Sequence, residues 1–182
     1  DDSKNFLFKI DETNKTASFY GSNQKSQDVI IPRIVKHESK DYLITSICGL
    51  HFTISCDSLK IKFEEESSVS TIYRNAFSES NIEEISFPKS LIELKKGWCS
   101  GTEKLRRIII SPLIGQFIFK EDKYLICKSN ENDAEFDKLL FVRRDIKEIS
   151  IPRNIKIIGS YSFEYSKIEE ISIPASVTKI CE

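Results

Sequence analysis

Apolar residues recur along this chain at fixed steps. Val69, Ile72, Phe77, Ile82, Ile85, Phe87 and Pro88 are separated by 3, 5, 5, 3, 2 and 1 residues, and Ile155, Ile158, Phe163, Ile168, Ile171, Ile173 and Pro174 repeat the same steps. Leu91, Leu94, Cys99, Leu105, Ile108 and Ile110 keep that frame with one residue inserted. A degenerate copy runs Ile44, Ile47, Phe52, Leu59, Ile61, Phe63, and another opens with Val177 and Ile180. Equivalent positions lie 23 residues apart from Ile85 to Ile108 and 22 from Ile149 to Ile171, which predicts a solenoid of about 22–24-residue units.

Within a unit, Ile82–Phe87 ends in a period-2 pattern that sends Ile85 and Phe87 inward and Glu84 and Ser86 outward, the signature of a short strand. The same strand is predicted at Ile146–Ile151 and Ile168–Ile173. Proline follows each one (Pro88, Pro152, Pro174), removes a ladder donor and forces a turn. The next apolar pair (Leu91/Leu94, Ile155/Ile158), with Phe77, Cys99 or Phe163 at the plug position, predicts a turn or a single helical turn that fills the core.

Two stretches leave the frame and resemble each other. Phe6-Leu7-Phe8-Lys9 and Phe117-Ile118-Phe119-Lys120 both run into acidic residues and lead on to strands ending Ile31-Pro32 and Ile151-Pro152. Both read as β-hairpins, the second with Glu121-Asp122-Lys123 as its turn, Tyr124–Cys127 as its return strand and Lys138–Val142 as a further strand after a polar loop. The expected organisation is a capping hairpin module at 1–41, repeat units at 42–112, an inserted hairpin module at 113–145 and repeat units at 146–182 that stop in mid-repeat. Arg33–Asp41 is expected to be a flexible loop.

Composition agrees with a mainly β chain: 28 Ile against 11 Leu, 5 Val and 4 Ala argues against long Ala/Leu helices. A net charge of −1 over 182 residues gives no electrostatic footprint for nucleic acid. The longest uncharged apolar stretch, 108–119, is broken by Pro112 and Gly115, so no membrane insertion is expected of this segment. The chain begins at Asp1 and contains no Met, as a mature form or excised fragment would. Cys48, Cys56, Cys99, Cys127 and Cys181 are odd in number and widely spaced, which predicts small core hydrophobes rather than a disulfide framework.

At the repeat residues the chain resembles the BspA-like leucine-rich repeats, whose units run roughly I-x-I-P-x-S-V-x-x-I-x-x-x-A-F. Ile171-Ser172-Ile173-Pro174-Ala175-Ser176-Val177-Thr178-Lys179-Ile180 matches that pattern, as do Ile72 with Ala76-Phe77 and Ile158 with Ser162-Phe163, while Trp98-Cys99 stands where Ala-Phe is usual. The Ile-, Lys-, Asn- and Ser-rich dialect is similar to the expanded surface-antigen sets of parasitic protists such as trichomonads. This resemblance implies a mainly β, leucine-rich-repeat-like solenoid carrying hairpin modules. It also implies a non-enzymatic adhesion repeat, extracellular or displayed at the cell surface, that binds host matrix proteins or other cells.

Sharper chemistry is poorly supported. Cys48, His51 and Cys56 offer three zinc ligands, but no second Cys/His pair follows at usable spacing, so no metal is expected. His37 and His51 are the only histidines, and no acid singles itself out to orient a Cys/His nucleophilic pair. The six glycines are scattered and form no phosphate loop, so no cofactor is expected. Glu83-Glu84 and Glu169-Glu170 suggest a carboxylate pair, but adjacent strand residues should point to opposite faces. Glu64-Glu65-Glu66 reads as a solvated loop, and Asn14-Lys15-Thr16 as a glycosylation sequon in the first hairpin turn. An enzyme built on the 113–145 insertion would have only Cys127 as a strong nucleophile.

What remains is a surface. Stacked strands would align Glu84, Arg107, Glu148 and Glu170 in one outward column, beside Ser86, Ile109, Ser150 and Ser172 in the next, as a partner-binding face. A cytoplasmic scaffold with reduced cysteines is the alternative reading, and the open unit at Val177–Ile180 suggests self-association.

Overall fold

The structure, a computed structural model, describes residues 4–24, 26–52, 57–78 and 80–182. Cys56 lies outside the described residues, as does the side chain of His51, so the zinc triad falls outside them. The first hairpin forms as read: β1 (Phe6–Asp11) and β2 (Thr16–Ser22) pair antiparallel, and the turn between them holds Asn14. The chain continues through β3 (Asp28–Ile31), β4 (Ile34–His37), β5 (Lys40–Phe52), β6 (Leu59–Phe63), β7 (Thr71–Ile72), β8 (Ile82–Ser86), β9 (Glu93–Leu94) and β10 (Arg107–Ile109). These build two ladders. β2, β5, β7 and β9 are parallel neighbours in one, and β3, β6, β8 and β10 in the other.

Each unit therefore supplies two strands, where the spacing of the second apolar pair predicted a turn or helical turn. Val69 plugs a corner, Ile72 sits in the first ladder, Phe77 plugs the opposite turn, and Ile82 and Ile85 belong to the second ladder, all fully buried. Leu94 and Ile158 occupy the position of Ile72 in two-residue strands, too short to show a period of their own. The turn after the first ladder contains i→i+3 bonds, such as Ala76 N–H to the Tyr73 carbonyl at 3.2 Å. It also needs left-handed backbone at one fixed place: Asn75, Gly97 and Tyr161, each three residues past the ladder residue, have φ of 57°, 74° and 61°.

Arg33–Asp41 is not a free loop. β4 pairs antiparallel with β5, and Glu38-Ser39 close a two-residue turn with φ of 49° and 66°, the twist a tight hairpin requires. The expectation failed because neither residue is the Asn or Gly that usually announces this turn.

The second hairpin module is a three-stranded meander of β11 (Phe117–Lys120), β12 (Tyr124–Cys127) and β13 (Lys138–Val142). Then come β14 (Glu148–Ser150), β15 (Ile157–Ile158), β16 (Glu170–Ser172) and β17 (Lys179–Ile180), with β13, β15 and β17 in one parallel ladder and β14 and β16 in the other. Every residue of β12 is buried because both of its faces are covered. Leu125 and Cys127 join the core that holds Phe77, Phe87 and Trp98, whereas Tyr124 and Ile126 join the one that holds Ile149, Ile155 and Ile158. The meander is thus a wall between two cores, and a strand covered on both sides reads as an unbroken apolar run.

Two features lock that wall in place. Trp98 sets its ring against Phe87 at 5.6 Å, Phe141 at 6.1 Å and Phe77 at 6.2 Å between centroids. Arg144 is buried, stacks over Phe141 at 4.7 Å, and donates to the carbonyls of Ser162 at 3.1 Å and Thr102 at 3.3 Å. Its guanidinium thus joins the turn of one unit to that of the next across the wall. At the C-terminal layer Ile171, Ile173 and Ile180 are exposed.

Candidate protein-binding face

The outward residues of β3, β6, β8 and β10 form rows: Asp28 opposite Lys60, Lys60 opposite Glu84, Glu84 opposite Arg107, with Ser86 opposite Ile109 beside them. The first row alternates acid and base, and Arg107 Nη1 lies 3.4 Å from Glu84 Oε2. Such cross-strand pairs contribute about 0.2–1 kcal/mol each and suppress strand slippage. Asp28 and Lys60 were not singled out in the sequence, although the alternation in Asp28–Ile31 and Leu59–Phe63 carries their outward placement.

Glu83 and Glu84 do not point to opposite faces. The register slips at this point, with Leu59 opposite Ile82 but Lys60 opposite Glu84, so a bulge turns both carboxylates outward between buried Ile82 and Ile85. Arg106 engages Glu83 and Arg107 engages Glu84. Each carboxylate is held by its own arginine, which accounts for the pair without acid–base chemistry.

The two outward columns are not continuous. Glu148 faces Glu170 and Ser150 faces Ser172 on the separate β14–β16 sheet, and β10 and β14 are not paired. The meander's tip stands between the two halves. Asp122 lines a groove of about 530 Å³ with Glu84 and Arg107, whereas Glu121 and Lys123 line one of about 380 Å³ with Glu148 and Glu170. Arg143 fixes the tip, with Nη1 2.6 Å from Asp122 Oδ2 and Nε 2.7 Å from Asp145 Oδ1, and its hydrogen bond to Asp145 holds that carboxyl below its ordinary range. The face is therefore bipolar: balanced and arginine-rich on one side of the tip, acidic on the other.

Cys99 and Cys127 are core residues, as expected, and burial pushes both thiols up to about 11, away from nucleophilic character. Cys48 and Cys181 are only partly buried, so core packing does not explain them equally well. Asn14 is exposed in its turn, with Nδ2 donating to Asp11 Oδ2 at 2.8 Å. Among the described residues, no three His, Cys, Asp or Glu side chains gather as a metal site, and no helix is long and apolar enough to cross a membrane.

Comparison with known proteins agrees with this architecture. The model of the BspA type leucine-rich repeat region matches residues 15–126 and 70–182, with six copies. No curated protein matches the chain. Among solved structures, a leucine-rich repeat protein from Eubacterium ventriosum superposes with a TM-score of 0.55 at 14% identity, over 97% of this chain and 59% of that one. A leucine-rich repeat protein from Bacteroides ovatus (TM-score 0.44, 18% identity, 97% of this chain and 54% of that one) and the pneumococcal vaccine antigen PcpA (0.42, 15%, 94% and 69%) are more distant. The chain spans about three-fifths of the Eubacterium protein, with which it shares the fold. With the family model covering both ladders and the meander between them, the chain belongs to the BspA-type leucine-rich repeat family.

Proposed function

We propose that this chain is a non-enzymatic adhesion module, displayed at the cell surface, that binds a protein partner through its outward strand face. The observation that carries the reading is the row Ser86–Ile109 beside Glu84–Arg107: an apolar side chain that is 40% exposed, set in a rigid, charge-patterned sheet. An apolar spot within an ordered, charge-patterned strand surface is what protein partners seat on. A host matrix or cell-surface protein is the partner class, by family resemblance. The E. ventriosum leucine-rich repeat protein carries the same fold.

Arg107→Glu combined with Ile109→Asp should leave the thermal unfolding midpoint nearly unchanged and abolish adhesion to immobilised matrix proteins or host cells. Unchanged adhesion removes this face. Antibody staining of intact source cells, with and without external protease, tests display directly. A second reading, a cytoplasmic scaffold, is favoured by the free thiols of Cys48, Cys99, Cys127 and Cys181. Staining that appears only after permeabilisation selects it.

A further inference from the structure

All five prolines of the chain stand at one edge of the solenoid, where the strands of the second ladder turn back: Pro32, Pro88, Pro112, Pro152 and Pro174. From the last inward residue of the strand to the next core plug, these corners take four steps, as from Phe87 to Leu91 or Ile151 to Ile155. One corner differs. From Phe63 to Val69 it takes six, it has no proline, and it is two residues longer, opening with Glu64-Glu65-Glu66.

This corner is solvated, as its charge predicts, and it is also held by hydrogen bonds. Glu64 N–H donates to the Ile31 carbonyl at 2.9 Å, Glu64 Oε2 accepts from Arg33 N–H at 2.7 Å, and Ser67 N–H donates back to the Glu64 carbonyl at 3.2 Å. Glu66 adopts a left-handed φ of 56°, a conformation that a glutamate holds only where its surroundings impose it. Glu64 is consumed in capping the neighbouring corner. Glu65 and Glu66 are exposed and have no ion-pair partner among the described residues.

The taller corner forms one wall of a trough of about 890 Å³ that runs over three successive corners, and Ser111-Pro112 form the opposite wall. Phe63, Phe87, Pro88 and Ile110 supply the floor, and the exposed Ile109 opens onto it. Lys62 also lines it but is engaged by Asp28 at 3.5 Å, and Lys89, exposed and without an ion pair among the described residues, sets one positive charge against Glu65 and Glu66, so the unspent charge of the trough is net negative. An apolar floor with two carboxylates on its taller wall against a single lysine selects one kind of occupant by charge complementarity.

We infer that this trough is a docking site for an extended segment of a partner protein that carries an apolar side chain next to a lysine or arginine. The inference rests on the protein-binding reading and adds to it a place and a partner chemistry. The apolar side chain lies against Phe87 and Ile110 near Ile109, and the cation meets Glu65 and Glu66.

The test is a phage-displayed random-peptide library panned on the folded chain. Enriched peptides are then measured against Glu65→Lys/Glu66→Lys, with Glu103→Lys on the opposite turn as the charge-reversal control, Arg107→Glu and Glu148→Lys/Glu170→Lys as outer-face variants and Trp98 emission as the fold check. The expected result is a consensus of Lys or Arg beside an apolar residue, with binding about tenfold or more weaker in the Glu65/Glu66 variant and unchanged in Glu103→Lys. Peptides lost only in the outer-face variants would keep the protein-binding reading and overturn the trough. An acidic consensus, or no enrichment at all, also overturns it, while the cell-staining and adhesion experiments judge the wider reading independently.

Discussion

The two hairpin modules start alike and are used differently. β1 opens with Phe6-Leu7-Phe8-Lys9 and β11 with Phe117-Ile118-Phe119-Lys120, and each is the edge strand of its sheet. Phe6, Leu7 and Phe8 stay half-buried because their sheet has a core on one side only. Phe117 is buried and packs 6.3 Å from Phe87, because its sheet stands between two cores. The strands that follow carry the difference. β2 alternates buried and half-buried along Thr16–Tyr20, whereas β12 and most of β13 are buried throughout. A shared opening phrase thus sets the local hairpin, and the strands after it decide whether the module sits at a rim or forms a partition.

Ways to break this comparison run from the partition outward. Phe141→Ala opens a cavity beside Trp98 in the wall and should cost about 3–5 kcal/mol, while Phe8→Ala at the rim should cost about 1 kcal/mol. Urea midpoints followed by the emission of Trp98, the single tryptophan, measure both, and equal losses would deny the wall its two-sided role. Arg144→Leu keeps the bulk but leaves the Ser162 and Thr102 carbonyls without their donor, for a loss of about 2–4 kcal/mol. Because, among the described residues, Arg144 is the buried arginine that joins these turns, this variant should let hydrogen exchange rise in β13–β17 before β2–β9.

The turns give a smaller effect of the opposite sign. Glu38→Asn with Ser39→Gly relieves two left-handed non-glycine residues and should raise stability by about 1 kcal/mol, seen as a higher thermal midpoint. Acid should show the least difference between modules, since each tip is tied by a carboxylate held below its ordinary range. Tyr42 hydrogen-bonds Glu12 at 2.9 Å in the first, and Arg143 holds Asp145 in the second. A depressed carboxyl contributes stability that is present above its ordinary pKa and lost as pH falls through the lower, folded value. Both tips should therefore loosen only below the usual carboxylate range, and Glu12→Gln or Asp145→Asn should flatten that acid limb in a pH series of thermal midpoints.

Much of this fold was legible because its information is short-range. The 3, 5, 5, 3, 2 step places one side chain per layer, so Ile72, Phe77, Ile82 and Ile85 could be assigned to a core before any contact was known. The Glu121–Lys123 turn and the strands at 117–120, 124–127 and 138–142 were equally readable, since a charged turn between apolar runs is a local signal. Two-residue strands such as β7 and β9 were not, because two residues cannot display a period. The bulge that turns Glu83 and Glu84 to one face was hidden for another reason: a register slip belongs to a pair of strands, and one strand's sequence contains only half of it.

The candidate face divides in the same way. Outward placement of Glu84, Ser86, Arg107 and Ile109, and of Glu148, Ser150, Glu170 and Ser172, follows from alternation within each strand. Their separation by the meander's tip does not, because it depends on how residues 117–127 pack against two neighbouring cores. The sequence by itself determined the repeat length, the inward set and the corners, since each is a rule about residues close in the chain. Only the tertiary structure decided that the second hairpin is a wall, that buried Arg144 fastens it, and that an acidic corner closes a trough. Each of those rests on desolvation and contact between residues far apart in the chain, which no local pattern encodes.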